Sequence, residues 1–373
     1  MITRSGCPLP DVRIVRSSDT GAYLIPSGKP PTNQNVEPTD IWGRLAETLL
    51  GKADLTALDV ARASGVEPDE LRRLWQALGF PPVTDDELRF TRADVNVVSA
   101  IRALVESQHA DPSDVLQLTR VIGHAMARVA DAQITVIAER LHARREEEAA
   151  SHLQVPELKT RIETLAPTLE RFLGYVWRRH LMAAAVQISS ANSAADRALI
   201  VGFADMVGFT ATTQALDAGD LAIMVNRFEA IAHEHIVKHG GRVVKMIGDE
   251  VMFCVDDPVR AAEIALALVD AHARDESLPE IRVGVASGPT LAWEGDLFGP
   301  TVNLASRLVN FARPGTVLVS DELGDRARAH PAFELRPLRP VKLKGIGRVR
   351  SWVLRPAGSP TSSGRGRAES IER

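Results

Sequence analysis

The chain has 373 residues, 45% of them hydrophobic, with a formal net charge of −4, so two or three domains are expected and no charge excess draws it to nucleic acid or anionic lipid. Its two cysteines, Cys7 and Cys254, are too few for a disulfide framework and fit a reducing compartment. No apolar run approaches the roughly 20 residues of a membrane helix, and MITRSGCPLPDVRIVRSS lacks an apolar signal core, so a cytoplasmic protein with no membrane span is expected.

Residues 1–38 are rich in Pro, Ser, Gly and Asn and read as a disordered arm. Residues 39–162 read as all-α, with Leu and Val recurring at helical spacing and breaks at Gly51, Gly65, GFPPVTDDE and HADPSD. Within residues 54–95, LTALDVARASGVEPDELRRLWQALGFPP followed by LRFTRADVNVV loosely resembles a MerR-type helix-turn-helix with its wing strand. Between residues 52 and 102, however, nine acidic residues face seven basic ones, which argues against DNA binding. Residues 163–193 read as a linker helix, running from about Thr168 after Pro167 to Gln187 and ending in SSANSAAD.

The texture then changes. Over residues 194–356 short β-like runs alternate with helices in the order β-α-β-β-α-β, the plan of a ferredoxin-like sheet, so the chain as a whole is α+β. ALIVGFA is a strand, RVVKMI and VMFCV a hairpin, IRVGVASG a strand, TVNLASRLVNFA a helix and RVRSWVL a closing strand. Residues 357–373 read as a disordered tail. HEHIVKHG, at the end of a helix where histidine suits the C-terminal dipole, reads as structural.

FADMVGFT places Asp205 just past an apolar strand, and KMIGDEVMF places Asp249 at a hairpin tip. Strands one and three of such a sheet are commonly neighbours, so the two aspartates are expected side by side. Adjacent carboxylates repel unless a cation lies between them, and an all-oxygen donor set suits Mg²⁺ or Mn²⁺. The plainer alternative makes Asp205 a helix cap and Asp249 a turn residue.

FADMVGFT, KMIGDEVMF, GDLFGPTVNLASRL and VKLKGIG together resemble the class III nucleotidyl cyclase catalytic domain, over about residues 196–355. The resemblance implies that Asp205 and Asp249, with the backbone carbonyl of Met206, hold two Mg²⁺ or Mn²⁺ ions per active site. It implies that Lys245 and Asp296 select the purine, adenine by their identity, so that ATP is the substrate and 3′,5′-cyclic AMP and pyrophosphate the products. Asn303 would orient the ribose, Arg307 stabilise phosphate charge, and Lys344 bind phosphate. Both catalytic side chains, four residues apart, share one helix face. In that family each site is shared across a dimer, which implies a homodimer with two equivalent sites.

The layout also resembles the soluble mycobacterial cyclases whose all-helical N-terminal domain restrains catalysis in a pH-dependent way. That resemblance makes residues 39–162 regulatory, by pH or a lipid-like ligand, and the following helix a switch. His180, after Arg178 and Arg179 on that helix, is a candidate pH sensor. A different reading makes the chain a helix-turn-helix transcription regulator whose cyclase-like domain only senses nucleotide.

Overall fold

The computed structural model describes residues 12–15, 23–26, 46–147, 155–189 and 198–358. Two short strands, β1 (Val12–Val15) and β2 (Tyr23–Pro26), pair antiparallel within the segment expected to be a disordered arm. The β-branched and aromatic residues of VRIV and YLIP suit a strand better than the Pro- and Ser-rich composition around them. The remainder of the arm, Cys7 included, and the tail from residue 359 lie outside the described residues.

Two compact units divide the chain; one comprises residues up to Trp75 with Pro81–His109 and Gln133–Leu173, the other Gln76–Phe80, Ala110–Ala132 and Gly174 onward. In the first, α1 (Ala57–Ser64) opens with a capping box between Thr56 and Asp59 and closes at Gly65, whose φ of 72° gives the left-handed turn into α2 (Pro68–Ala77). The helix α3 (Arg92–Glu106) packs back on them. Val60, Ala61, Leu71, Phe90, Val95 and Val98 form the core, with Trp75 edge-on to Phe90 at 4.7 Å.

The expected wing strand shrinks to a single bridge, Leu55 to Phe90. Thr91 and Asp94 form a second capping box, so the chain turns helical directly after Phe90. The linker helix also differs from expectation. Two long helices follow, α4 (Pro112–Glu147) and α5 (Val155–Ser189), and α5 runs through Pro167 rather than starting after it. Pro167 lacks the N–H that would reach the preceding turn, yet its φ is helical, so one missing bond is absorbed within a long helix. The boundary expected at 162/163 therefore falls inside a continuous helix.

The second unit holds β3 (Ala198–Met206), α6 (Phe209–Thr213), α7 (Ala218–Lys238), β4 (Arg242–Ile247), β5 (Glu250–Val255), α8 (Pro258–Ala273) and β6 (Ile281–Pro289). Next come a small hairpin, β7 (Leu291–Trp293) and β8 (Asp296–Phe298), then α9 (Pro300–Phe311), β9 (Val317–Ser320), α10 (Asp321–Ala327) and β10 (Phe333–Pro337). A second small hairpin, β11 (Val341–Leu343) with β12 (Gly347–Val349), precedes the last strand, β13 (Ser351–Pro356). The seven-stranded sheet runs β10-β13-β9-β6-β3-β5-β4, antiparallel except for β6 against β9. Its β3-α7-β4-β5-α8-β6 core is the expected ferredoxin-like plan.

Each face of the sheet is covered. Val251, Phe253 and Val255 of β5 point to one core with Phe228 and Ile236 of α7 and Ile264 and Leu268 of α8. Met252 and Cys254 point to the other, with Ala305, Leu308 and Val309 of α9 and Leu297 of β8. Burial on both faces explains why the strand is an unbroken apolar run rather than an alternating one. Gly284 on β6 lets α9 come this close: a Cβ there would overlap the backbone of Val309 and Ala305.

Candidate active site

The expected adjacency is present. β3 pairs with β5 so that Asp205 stands opposite Glu250, and the Met206 N–H donates to the Asp249 carbonyl at 3.1 Å. Asp249 sits at the tip of a two-residue turn between Ile247 and Glu250. Gly248 occupies its first position at φ 64°, where a type II′ hairpin requires glycine.

On the other side of β3, β6 places Arg282 opposite Asp205. One row of side chains therefore crosses three strands, Glu250, Asp205 and Arg282. Arg282 donates from Nε at 2.7 Å and Nη2 at 2.6 Å, both to Oδ2 of Asp205. Its Nη1 donates to the carbonyl of Asn310 near the end of α9 at 3.2 Å. Sequence reasoning missed Arg282. The signal was a lone cation in the apolar strand IRVGVASG, and its meaning depends on a register that only the strand order supplies.

Burial, with the charge of Asp205 adding to it, pushes the Asp249 carboxyl above the usual carboxylate range. Glu250 is pushed up to about 7, first by burial and then by the charges of Asp205 and Asp249. Three carboxylates thus share one guanidinium, an arrangement that a divalent cation would relieve. Among the described residues no group of three or more His, Cys, Asp or Glu is arranged to hold a metal ion. Two aspartates and a backbone carbonyl are instead the sparse oxygen set that suits an ion completing its shell with water and substrate phosphate.

The second constellation lies on the α9 side of the sheet. Lys245 forms a salt bridge with Oδ2 of Asp296, whose Oδ1 accepts from the Leu297 N–H at 2.8 Å. A β-bulge brings Lys245 there. The register shifts between Val243 and Lys245, and Val243 and Met246 both pack on the α7–α8 side. Val244 and Lys245 consequently share the opposite face, where Val244 joins the α9 core.

Asn303 and Arg307 lie on the exposed face of α9, opposite the buried Thr301, Ala305 and Leu308. Among the described residues neither side chain has an ion-pair or hydrogen-bond partner, the aspartates included. Lys344 is exposed at the tip of the β11–β12 hairpin. His180 is exposed on α5 beside exposed Arg178 and Arg179. HEHIVKHG closes α7, with His239 as its last cap and the His235 and His239 rings stacked 6.5 Å apart.

In the first unit Arg72 and Arg102 turn to neighbouring acids. Arg72 is held by Asp85 at 2.7 Å and by Asp69, and Arg102 pairs with Glu106 at 2.7 Å while donating to the Ser64 carbonyl. Cations occupied in this way make a poor surface for phosphates. Among the described residues no helix is long and apolar enough to cross a membrane.

Residues 192–356 match the family described as the adenylate and guanylate cyclase catalytic domain, and residues 39–182 the adenylate cyclase regulatory domain. An adenylate cyclase of Streptomyces coelicolor is 36% identical over 371 residues, covering 90% of this chain and 96% of its own. One from Streptomyces griseus is 37% identical, covering 81% of this chain and 76% of its own. A pH-sensitive adenylate cyclase of Mycobacterium tuberculosis is 30% identical, covering 83% and 80%. With a cyclase catalytic domain and a helical regulatory domain in one α+β chain, the protein belongs to the adenylate cyclases.

Proposed function

We propose that the chain converts ATP to 3′,5′-cyclic AMP and pyrophosphate at composite sites formed by two of its copies. The 3′-oxygen bonds to the α-phosphorus, the bond to pyrophosphate breaks, and the hydroxyl proton leaves to solvent. The observation that carries the reading is the Lys245–Asp296 pair. Adenine offers an acceptor at N1 and a donor at its 6-amino group, which a lysine and a carboxylate match. Guanine presents the reverse pattern and is refused.

Asn303 orients the ribose, while Arg307 and Lys344 stabilise charge on the phosphates, a role for which the planar, always-charged guanidinium is suited. Asp205, Asp249 and the Met206 carbonyl would hold two Mg²⁺ or Mn²⁺, which would acidify the 3′-hydroxyl and neutralise phosphate charge. In one chain Arg307 does not reach the aspartates, which supports a site completed by a second copy. The helical N-terminal half governs the rate, and His180 is a candidate for reading pH; an unmoved pH–activity curve in His180→Ala removes that role.

The test is cyclic nucleotide formation by the full chain from ATP and from GTP with Mn²⁺. Cyclic AMP from ATP, abolished in Asp249→Ala and with the ATP preference weakened in Lys245→Glu, is expected. No product from ATP overturns the reading.

A further inference from the structure

The hairpin that carries Asp296 is slight. Its strands are three residues each, all of β7 is exposed, and in β8 only Leu297 is buried. Two-stranded hairpins of this size are marginal alone. Trp293 pairs with Asp296, so the turn consists of Glu294 and Gly295. Their φ values, 53° and 81°, are both positive, as a type I′ turn demands.

Asparagine, aspartate or glycine usually fills the first of those positions, because a longer side chain is strained in the left-handed region. Among the described residues only Gln108 and Glu294 adopt positive φ without being glycine. A strained glutamate at a turn tip points to a use for its carboxylate. That carboxylate meets a cation: Nη2 of Arg120 lies 3.9 Å from Oε1 of Glu294. Arg120 belongs to α4, and its stretch, Ala110–Ala132, falls in the same compact unit as the hairpin.

We propose that Arg120 and Glu294 form a tether by which a helix outside the catalytic domain positions the base-selecting hairpin, making both positioning residues for ATP selection. This rests on the reading of Asp296 as a base contact. Glu294 is two residues from Asp296, joined to it through Gly295 of the turn. Holding the tip fixes where the Asp296 carboxylate stands against Lys245. Losing the hold lets the hairpin stray, so the 6-amino group is met less often. The metal-site aspartates on β3 and the β4–β5 turn are untouched.

The pair is partly exposed, with side chains 56% and 34% accessible, so it tunes rather than switches. Such a pair changes affinity by about two- to fivefold.

The experiment uses the full chain with Mn²⁺ and compares Arg120→Ala, Glu294→Asn and the swap Arg120→Glu with Glu294→Arg. Asparagine suits the left-handed turn, so Glu294→Asn keeps the fold, and its melting temperature should equal or exceed that of the parent. Each single change should raise the KM for ATP about two- to fivefold with kcat nearly constant, and lower the preference for ATP over GTP. The swap should restore both. Asp296→Ala serves as the reference. Should it raise KM while Arg120→Ala and Glu294→Asn do not, the tether is wrong and the base reading stands. Should the swap remain as weak as the singles, the pairing is wrong. Should Asp296→Ala itself leave KM and preference unmoved, the base reading fails and takes the tether with it.

Discussion

Glu250 shows what the carboxylate row does to a single residue. Its ordinary value near 4.5 rises to about 7 in the folded chain. Between those values the folded state keeps a proton that the unfolded state has released. Stability therefore falls as pH rises through that window, and the full penalty stands above about pH 7. Glu250→Gln removes the ionisable group without changing its shape. In metal-free buffer its melting temperature should exceed the parent's at pH 8 and match it at pH 4; an equal difference at both values would refute the cause given. Arg282 works in the opposite sense, offsetting the charge of Asp205 with two donors. Arg282→Met should lower unfolding free energy by about 2 kcal/mol, read from denaturant melts, because a carboxylate loses its charged partner. Arg282→Lys should recover only part of this, since an ammonium cannot serve both Asp205 and the Asn310 carbonyl.

At the scale of elements, α9 is the part whose seating matters. It is held against β6 at Gly284 and bears Asn303 and Arg307 on its far side. Gly284→Ala should cost about 1–3 kcal/mol by overpacking. It should also lower kcat by about tenfold or more, because shifting the helix displaces both side chains. A variant that loses stability but keeps kcat would show that the helix position is not critical. The same scale explains what could be read in advance. ALIVGFA and VMFCV were legible as strands because burial on both faces leaves an unbroken apolar run. Asp205 beside Asp249 followed from strand order alone. Arg282 did not, because its partner is set by a register across two strands. Nor did the β7–β8 hairpin, whose three-residue strands lie below the length at which alternation shows. Pro167 misled because a lone proline marks a probable helix end, and α5 is long enough to tolerate one missing bond.

At the scale of the whole molecule, the proposed composite site makes a distinctive claim. Asp249→Ala and Arg307→Ala should each be nearly inactive alone. Mixed and allowed to exchange, half the dimers pair one of each and hold one intact site, so activity should return to about a quarter of the parent's. A mixture that stays inactive would mean that each chain completes its own site. The bulge on β4 has a bearing at this scale too. β4 is an edge of the seven-stranded sheet. A long, flat, apolar edge invites another chain to add its own strand and begin an aggregate. The bulge interrupts the ladder, and Lys245 places a charge on the strand that an incoming backbone would have to bury. The lysine proposed to read the base thereby also guards the sheet, and replacing it by an apolar residue should cost solubility as well as substrate selection.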